Sequence, residues 1–310
     1  MSMFSAQILR RNRVFLGLKS RALSQVYSKR RFLSQNASHG ALTKYASSGD
    51  VESAYSLLFL HGAWENAQSW ADSAKYFAKL GHNSATLEFS GFSNSSTSAQ
   101  TESEGGTKVK NLVDQVHSAV TELGPLTLLV APCLGGFIAQ KYLESWGVPG
   151  LVLVNSFPPN ASNVLRRIAD LKPEEPFDSN ALAQFGYTGI FSSLLGKPRF
   201  TVAPEKLFGT AADDANISKL KENLQAPTTE LILDVFQNPV KLEPGSVPIL
   251  VVQSTEDKII SDDDIQSIMT FHNAEQLVKI DRASHLFVLN DSQARDQLHE
   301  AIHKWFDETF

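Results

Sequence analysis

The sequence predicts an α/β protein whose sheet is mostly parallel and covered by helices on both faces. Short, continuously apolar segments recur from residue 55 onward, and amphipathic helical patterns lie between them. Continuous apolar runs are typical of parallel strands that are buried on both faces, and strands that alternate with helices are typical of an α/β sheet. We expect strands at Tyr55–Leu60, Ala85–Phe89, Leu126–Val130, Gly150–Val154, Val247–Gln253 and Gln276–Ile280.

Three helices are especially clear in the pattern. Apolar residues recur at helical spacing between Val109 and Leu123, and again between Ala294 and Phe306 near the end of the chain. A third helix is predicted to begin after Ser261, because Ser261 followed by an acidic residue three positions later forms a capping box. We therefore interpret the acidic run 262–264 as a first helical turn rather than as a metal site.

The composition of the 310 residues excludes several classes of protein. A hydrophobic content of 42% is too high for a disordered chain, and no unbroken apolar run approaches the roughly 18 residues of a membrane span. The net charge of −5 argues against binding to a nucleic acid backbone. The one cysteine, Cys133, excludes an intrachain disulfide and a zinc site of the CxxC kind. The sequence predicts neither a metal nor a cofactor.

Residues 1–33 are predicted to be an organellar transit peptide. The first acidic residue is Asp50, whereas eight basic residues and several serines lie in this segment, a composition typical of mitochondrial and plastid transit peptides. The longest apolar run, Val14–Leu18, is too short for a secretory signal. Residues 31–34 resemble a matrix-processing site with cleavage after Leu33. We expect the mitochondrial matrix, with a plastid as the alternative; a disordered basic tail that binds nucleic acid or anionic lipid is the competing interpretation.

A proline-rich region interrupts the alternation of strands and helices. Ten of the 13 prolines lie between Pro158 and Pro248, together with many aromatic residues. The interval is too long for a simple loop, so we expect residues 157–245 to form an inserted lid. Residues 34–156 and 246–310 would then form the core.

The most informative motif lies where the third predicted strand ends. The apolar strand runs into a tight turn of small residues and then into a helix that begins near Phe137. This segment resembles the nucleophile elbow of the α/β-hydrolase fold, G-x-S-x-G, with Ala131 at the first glycine and Cys133 at the serine. The strained backbone of the nucleophile leaves no room for bulk two residues away. Ala131 and Gly135 meet that requirement.

Further segments resemble the same family. Together they span nearly all of the chain after the predicted transit peptide. Residues 58–64 are similar to its strand and "HG" loop, which implies that the N–H of Ala63 is one donor of an oxyanion hole. The resemblance implies that the second donor is the N–H of Leu134, the residue after the nucleophile. Residues 87–93 resemble its "D-x-x-G-x-G-x-S" segment, with Glu88 in place of the aspartate. Asp257 and His285 each follow a predicted strand where the family places its triad acid and base, and the order Cys, Asp, His is the family's order.

The resemblance implies a hydrolase that needs no cofactor and cleaves a carboxylic ester, a thioester or a lactone. Dienelactone hydrolases are similar in having this fold with a cysteine nucleophile. Cys133 would attack the carbonyl carbon, and the helix amino terminus at the sulfur would favour its thiolate. His285 would act as base and acid, and Asp257 would orient the imidazole.

The sequence also suggests the nature of the substrate. We expect His61 and Trp64 to line the substrate site, although His61 could instead order the oxyanion loop or be a buried structural histidine. The aromatic-rich lid predicts a small, apolar acyl compound as substrate. Two alternatives remain at this point: transfer of the acyl group to an acceptor other than water, and a ligand-binding protein on a hydrolase scaffold that does not catalyse.

Overall fold

The computed structural model describes residues 40–49, 53–90, 108–172, 174–178, 202–209, 217, 220, 224–242 and 247–310. The predicted transit peptide, residues 1–33, lies outside the described residues, as does a large part of the predicted lid. In the described residues, strands and helices alternate along most of the chain, as the sequence predicts. The strands are β1 (Ala41–Tyr45), β2 (Ser56–Phe59), β3 (Asn83–Glu88), β4 (Thr127–Pro132), β5 (Leu151–Val154), β6 (Ile249–Ser254) and β7 (Gln276–Ile280).

The seven strands form one sheet in the order β1-β3-β2-β4-β5-β6-β7. Only β1 pairs antiparallel to its neighbour, and the other pairs are parallel. Every residue of the central strands β2, β4, β5 and β6 is buried, which is why these strands are continuously apolar in the sequence. The predicted fold class, an α/β fold whose sheet is mostly parallel, is confirmed.

Helices cover both faces of the sheet. The helices are a 3-10 turn (Ala67–Trp70), α1 (Ala71–Lys79), α2 (Val109–Leu123), α3 (Cys133–Leu143), α4 (Ser162–Ile168), α5 (Pro204–Phe208), α6 (Thr229–Gln237), α7 (Asp262–His272), α8 (Phe287–Asn290) and α9 (Ser292–Thr309). One apolar core lies between one face and helices α2 and α3, and it includes Leu58 and Leu60 of the β2 region. The other lies beneath α1 and α9 and includes Leu57 and Phe59, which alternate with the first pair.

The predicted elements agree with the observed ones to within a few residues, and one strand was not predicted. All six predicted strands are present, and the helix of Val109–Leu123 has the predicted bounds. The capping box of α7 is confirmed, because Ser261 accepts from the N–H of Asp264 and the Asp264 side chain accepts from the N–H of Ser261. Strand β1, Ala41–Tyr45, was not predicted, since its residues are exposed or half-buried and carry no apolar run.

The described parts of the region between β5 and β6 pack on the core. The rings of Phe177 and Phe236 stack at 4.4 Å between centroids, and Arg167 of α4 forms an ion pair with the buried Asp264 of α7. The assignment of residues 157–245 as a lid stays a prediction. Among the described residues, no helix combines the length and the apolar character that crossing a bilayer requires.

Candidate active site

Cys133 lies at a sharp turn between strand β4 and helix α3. Strand β4 ends at Pro132 and α3 begins at Cys133, whose φ of 44° is in the left-handed region. This conformation costs a non-glycine residue about 1–2 kcal/mol, so the surrounding structure must hold it. The N–H of Phe157 does so, since it donates to the Cys133 carbonyl at 3.0 Å.

The turn at Cys133 is packed so closely that positions 135 and 136 must be glycine. A Cβ atom added at Gly135 would lie 2.5 Å from the carbonyl oxygen of His61, and one added at Gly136 would lie 2.1 Å from Oγ of Ser156. Both distances are far below a normal contact. The small residue predicted two positions after Cys133 is therefore required by the loop that follows β2.

Asp257 and His285 meet at the carboxyl end of strands β6 and β7. The Nδ1 atom of His285 lies 2.7 Å from Oδ2 of Asp257, and both side chains are buried. The other carboxylate oxygen, Oδ1, accepts from the N–H groups of Ile259 and Ile260 at 2.7 and 2.9 Å. These two backbone donors fix the rotation of the carboxylate, so that Oδ2 faces the imidazole.

The electrostatics of His285 reflect its two acidic neighbours. Burial by itself lowers the pKa of His285, but the negative charges of Asp257 and of Cys133 outweigh burial and raise it well above the usual value. The Nε2 atom is buried and has no hydrogen-bond partner of ordinary geometry among the described residues. The Cys133 sulfur is nevertheless close enough for its charge to act on the ring. The structure therefore places all three predicted triad residues in one cluster.

Asn155 is a site residue that the sequence analysis missed. It follows β5 with a φ of 44°, and its Nδ2 donates to the carbonyl of His285 at 3.1 Å and to Oγ of Ser254 at 2.8 Å. Its Oδ1 accepts from the N–H of Ser254 at 2.8 Å. Asn155 thus ties the loop that carries His285 to strand β6. The only signal for Asn155 in the sequence is that it follows β5, which neighbours β6 in the sheet. The carboxyl ends of neighbouring parallel strands lie close together, and sites form there.

His61 holds the loop that follows β2. Its Nε2 accepts from the N–H of Phe89 at 3.1 Å and must therefore be unprotonated, so that Nδ1 donates to the Gly62 carbonyl at 2.9 Å. Burial lowers the pKa of His61 to about 4, which keeps the ring neutral. Both ring nitrogens are thus engaged by the backbone, and this geometry favours the loop-ordering role over direct contact with a substrate.

The same loop, which carries the predicted oxyanion donor Ala63, packs against Cys133. A Cβ atom at Gly62 would lie only 2.8 Å from Cβ of Cys133 and 3.6 Å from its sulfur, so the loop carrying Ala63 packs against the cysteine. Leu134 is the second residue of α3, and N–H groups in a first helical turn have no acceptor within the helix. Trp64, whose φ is 63°, is buried and donates its N–H to the Gln225 carbonyl at 3.0 Å.

Two carboxyl groups in or near this loop, the buried Glu65 and the half-buried Glu88, were not identified as site residues. Glu65 is 2% exposed, and its Oε2 accepts from the N–H of Gly62 at 2.7 Å. Glu88, at the end of β3, accepts from the N–H of Ala67 at 2.7 Å. Burial raises the pKa of both groups, that of Glu65 to about 7. For Glu65, the one signal available in the sequence was a charged residue directly after the apolar residues Ala63 and Trp64. No group of three or more potential metal ligands occurs in the part of the chain that the structure describes.

Comparison with known proteins identifies the family. The model of the alpha/beta hydrolase family matches residues 57–301. The chain belongs to the alpha/beta hydrolase family. No curated protein matches the sequence of this hydrolase.

Solved structures share the hydrolase fold at low sequence identity. A monoacylglycerol lipase of Paleococcus ferrophilus is 17% identical with a TM-score of 0.61, and the match covers 88% of this chain and 100% of the lipase. A thermophilic esterase of Thermogutta terrifontis is 16% identical with a TM-score of 0.60, over 87% and 93% of the two chains. Est816, described as an enzyme that degrades N-acyl homoserine lactones, is 17% identical with a TM-score of 0.61, over 86% and 96%.

Proposed function

We propose that this hydrolase cleaves a carboxylic ester, a thioester or a lactone with Cys133 as nucleophile, His285 as base and acid, and Asp257 as the residue that orients the imidazole. One observation carries the proposal. A buried Asp257–His285 pair at 2.7 Å lies beside a cysteine held in a strained turn at the end of β4. Strain at a turn between a strand and a helix is typical of a nucleophile that must project above the sheet.

The chemistry proceeds in two steps. In the first, the Cys133 sulfur gives up its proton to Nε2 of His285 and attacks the carbonyl carbon, and the imidazolium then protonates the leaving alkoxide or thiolate. The product is a thioester on Cys133 and a free alcohol or thiol. In the second step, His285 takes a proton from water as the water attacks the thioester, and the proton returns to the sulfur as the carboxylic acid leaves.

The oxyanion of each tetrahedral intermediate would be bound by the N–H groups of Ala63 and Leu134. The first lies on the loop packed against Cys133 and the second at the start of α3. One such donor contributes about 3–4 kcal/mol to the transition state. The positive imidazolium of His285 balances the same negative charge.

The structural neighbours support the type of reaction. Their descriptions name an esterase, a monoacylglycerol lipase and an enzyme that degrades N-acyl homoserine lactones, and the esterase and lipase reactions move an acyl group from an oxygen to water. The substrate proposed here is a small, apolar acyl compound, because the predicted lid is rich in aromatic residues. Trp64 lies on the loop beside the nucleophile and is the residue proposed to contact that acyl group.

One observation favours a second candidate, a ligand-binding protein that does not catalyse. Cys133 is only 1% exposed among the described residues, and cysteine occupies the position where the motif of the fold has serine. Such a protein would keep the fold and the buried Asp257–His285 pair without forming an acyl thioester.

Acylation of Cys133 separates the two candidates. The protein is mixed with p-nitrophenyl acetate, release of nitrophenolate is followed, and the intact mass is measured at early times. A hydrolase gives turnover and an acetyl adduct on Cys133, both of which are absent in Cys133→Ala and reduced in His285→Ala. The matched control is His303→Ala, since the His303 side chain is 44% exposed. A wild-type protein that forms no adduct and releases no nitrophenolate would contradict catalysis, and a product that changes with added alcohol or amine would indicate acyl transfer.

We also propose that residues 1–33 direct the protein to the mitochondrial matrix. The support is the basic, serine-containing composition and the sequence around Leu33. The amino terminus of the protein purified from its source is expected to be Ser34, in a mitochondrial fraction. A native protein that begins at Met1 or Ser2 and fractionates with the cytosol would contradict import, and recovery from chloroplasts would identify the plastid alternative.

A further inference from the structure

Glu65 is a buried carboxyl group in the oxyanion loop that the two-step mechanism does not use. It lies two residues after Ala63, and its side chain is almost completely shielded from solvent. Its Oε2 accepts from the N–H of Gly62 at 2.7 Å. Its Oε1 is buried and has no hydrogen-bond partner of ordinary geometry among the described residues. A buried, incompletely satisfied carboxyl is costly for a fold, so its presence at this position needs an explanation.

The glycine that Glu65 holds packs directly against the nucleophile. A Cβ atom placed on Gly62 would lie 2.8 Å from Oε2 of Glu65 and also 2.8 Å from Cβ of Cys133. The carboxyl oxygen and the cysteine Cβ are therefore at most 5.6 Å apart, twice that distance. The charge of His285 also acts on Glu65. The carboxyl thus lies near Cys133 and interacts electrostatically with His285, although it is not part of the triad.

We propose that Glu65 is a positioning residue of the oxyanion hole, whose neutral carboxyl holds Gly62 and hence the N–H of Ala63 in place, and whose ionisation opposes catalysis. The inference rests on the proposed hydrolase function and adds a residue to it. The hydrogen bond from Gly62 to Glu65 fixes the His61–Gly62 peptide. The ring of His61 fixes the Gly62 carbonyl, which belongs to the same peptide group as the N–H of Ala63.

The protonation of this carboxyl follows from its surroundings. Burial raises the pKa of Glu65 to about 7; the N–H of Gly62, the charge of His285 and the indole of Trp70 act in the opposite direction and are weaker. Trp70 lies beside the carboxyl, but its Nε1 forms no hydrogen bond of ordinary geometry with a described residue. Below neutral pH the group is therefore mostly an uncharged acid.

Ionisation of Glu65 would work against the reaction in two ways. A second negative charge beside the loop opposes the negative oxyanion, because low local polarity strengthens the repulsion. The same charge holds the proton on His285, which slows its transfer to the leaving group. His285 acts on Glu65 through its charge, and Cys133 lies across Gly62 from the carboxyl. Activity is therefore expected to fall as the pH rises through about 7.

Two substitutions at Glu65 separate the hydrogen bond from the charge. Glu65→Gln keeps an oxygen for the Gly62 N–H and cannot ionise, whereas Glu65→Ala loses both. The matched control is Glu300→Gln, an exposed acid on α9. Nitrophenolate release is measured from pH 5 to 9 as kcat and KM, and the carboxyl carbons are followed by 13C NMR, with Glu65→Gln assigning the Glu65 signal.

The expected results distinguish positioning from a merely structural role. Glu65→Ala lowers kcat by about 10-fold or more with a smaller change in KM, because the oxyanion donor acts in the transition state. Glu65→Gln recovers a large part of that loss, and its activity does not fall across pH 7. Equal kcat and pH profiles in all variants, or a Glu65 carbon that titrates like an exposed carboxyl, would overturn the role of Glu65 while Cys133→Ala stays inactive. A wild-type protein without turnover or Cys133 adduct would overturn the proposed function itself and this role with it.

Discussion

Replacing Asp257 with asparagine tests the proposed triad without changing its shape. In the wild type, Oδ1 accepts from the N–H groups of Ile259 and Ile260 while Oδ2 faces Nδ1 of His285. The two backbone donors require an oxygen at the first position, so the new amide nitrogen must lie at the second and donate to Nδ1. The imidazole would then carry its proton on Nε2, where it cannot accept the proton of the Cys133 thiol.

The size of the effect follows from the cost of rotating the amide. The productive tautomer needs the asparagine oxygen to face His285, and this rotation leaves two buried N–H groups, those of Ile259 and Ile260, opposite an NH2 group. Each unsatisfied group costs about 1–3 kcal/mol, so the productive arrangement is disfavoured by about 2–6 kcal/mol. At 1.36 kcal/mol for each factor of ten, kcat is expected to fall by roughly 30-fold to 3 × 10⁴-fold.

The assay compares Asp257→Asn with Asp263→Asn, which makes the same chemical change at an exposed position on α7. Steady-state kcat and KM are measured with p-nitrophenyl acetate, and the melting temperature reports the fold. We expect the loss of kcat only in Asp257→Asn, with similar melting temperatures. A kcat for Asp257→Asn equal to that of the control would refute the tautomer argument and the orienting role of Asp257.

Three further predictions concern stability and the supporting contacts. Gly135→Ala should destabilise the protein by about 1–3 kcal/mol, because its Cβ would lie 2.5 Å from the His61 carbonyl; an unchanged urea midpoint would count against this packing. Asn155→Ala should lower the free energy of unfolding by about 1–3 kcal/mol and reduce kcat, since it removes the donor to the His285 carbonyl; unchanged kinetics would show that this contact does not position the base. Stability should decrease as the pH falls from 6.5 toward 4, because burial lowers the folded-state pKa of His61 and His272 to about 4 and the unfolded chain then binds more protons; His272→Gln should weaken this dependence in urea titrations at pH 7 and 5, and an identical dependence would contradict the assignment.

The fold could be predicted because its determinants are local. Central strands that are buried on both faces have continuous apolar runs, and the helices between them have apolar residues at helical spacing. Both patterns can therefore be recognised in a single sequence. Strand β1, Ala41–Tyr45, was missed because it lies at the edge of the sheet, with no buried residue. Its position depends on pairing with β3, a contact that no pattern within the strand encodes.

The site could be predicted only where a motif marks it. The small residues around Cys133 and the places of Asp257 and His285 after strands were sufficient to predict a cluster, and the structure brings these three together. Asn155 and Glu65 were missed for different reasons. Asn155 acts through hydrogen bonds to residues 99 and 130 positions away, which no spacing reveals. Glu65 acts on a near neighbour, but its importance comes from burial, which its charge argues against in the sequence.

Residues with a strained backbone lie at the carboxyl ends of the parallel strands, where the proposed chemistry occurs. Trp64, Cys133 and Asn155 follow the neighbouring strands β2, β4 and β5, and their φ angles are 63°, 44° and 44°. Each such residue costs about 1–3 kcal/mol, yet each is held by a hydrogen bond from another segment: Trp64 by Gln225, Cys133 by Phe157 and Asn155 by Ser254. These bonds join segments that are distant in the sequence, so a substitution in a partner segment is expected to change the backbone at the strained residue. The geometry at Cys133 therefore depends on the segment that follows β5 as well as on β4 and α3, and the predicted triad residues are only the part of the site that a motif makes visible.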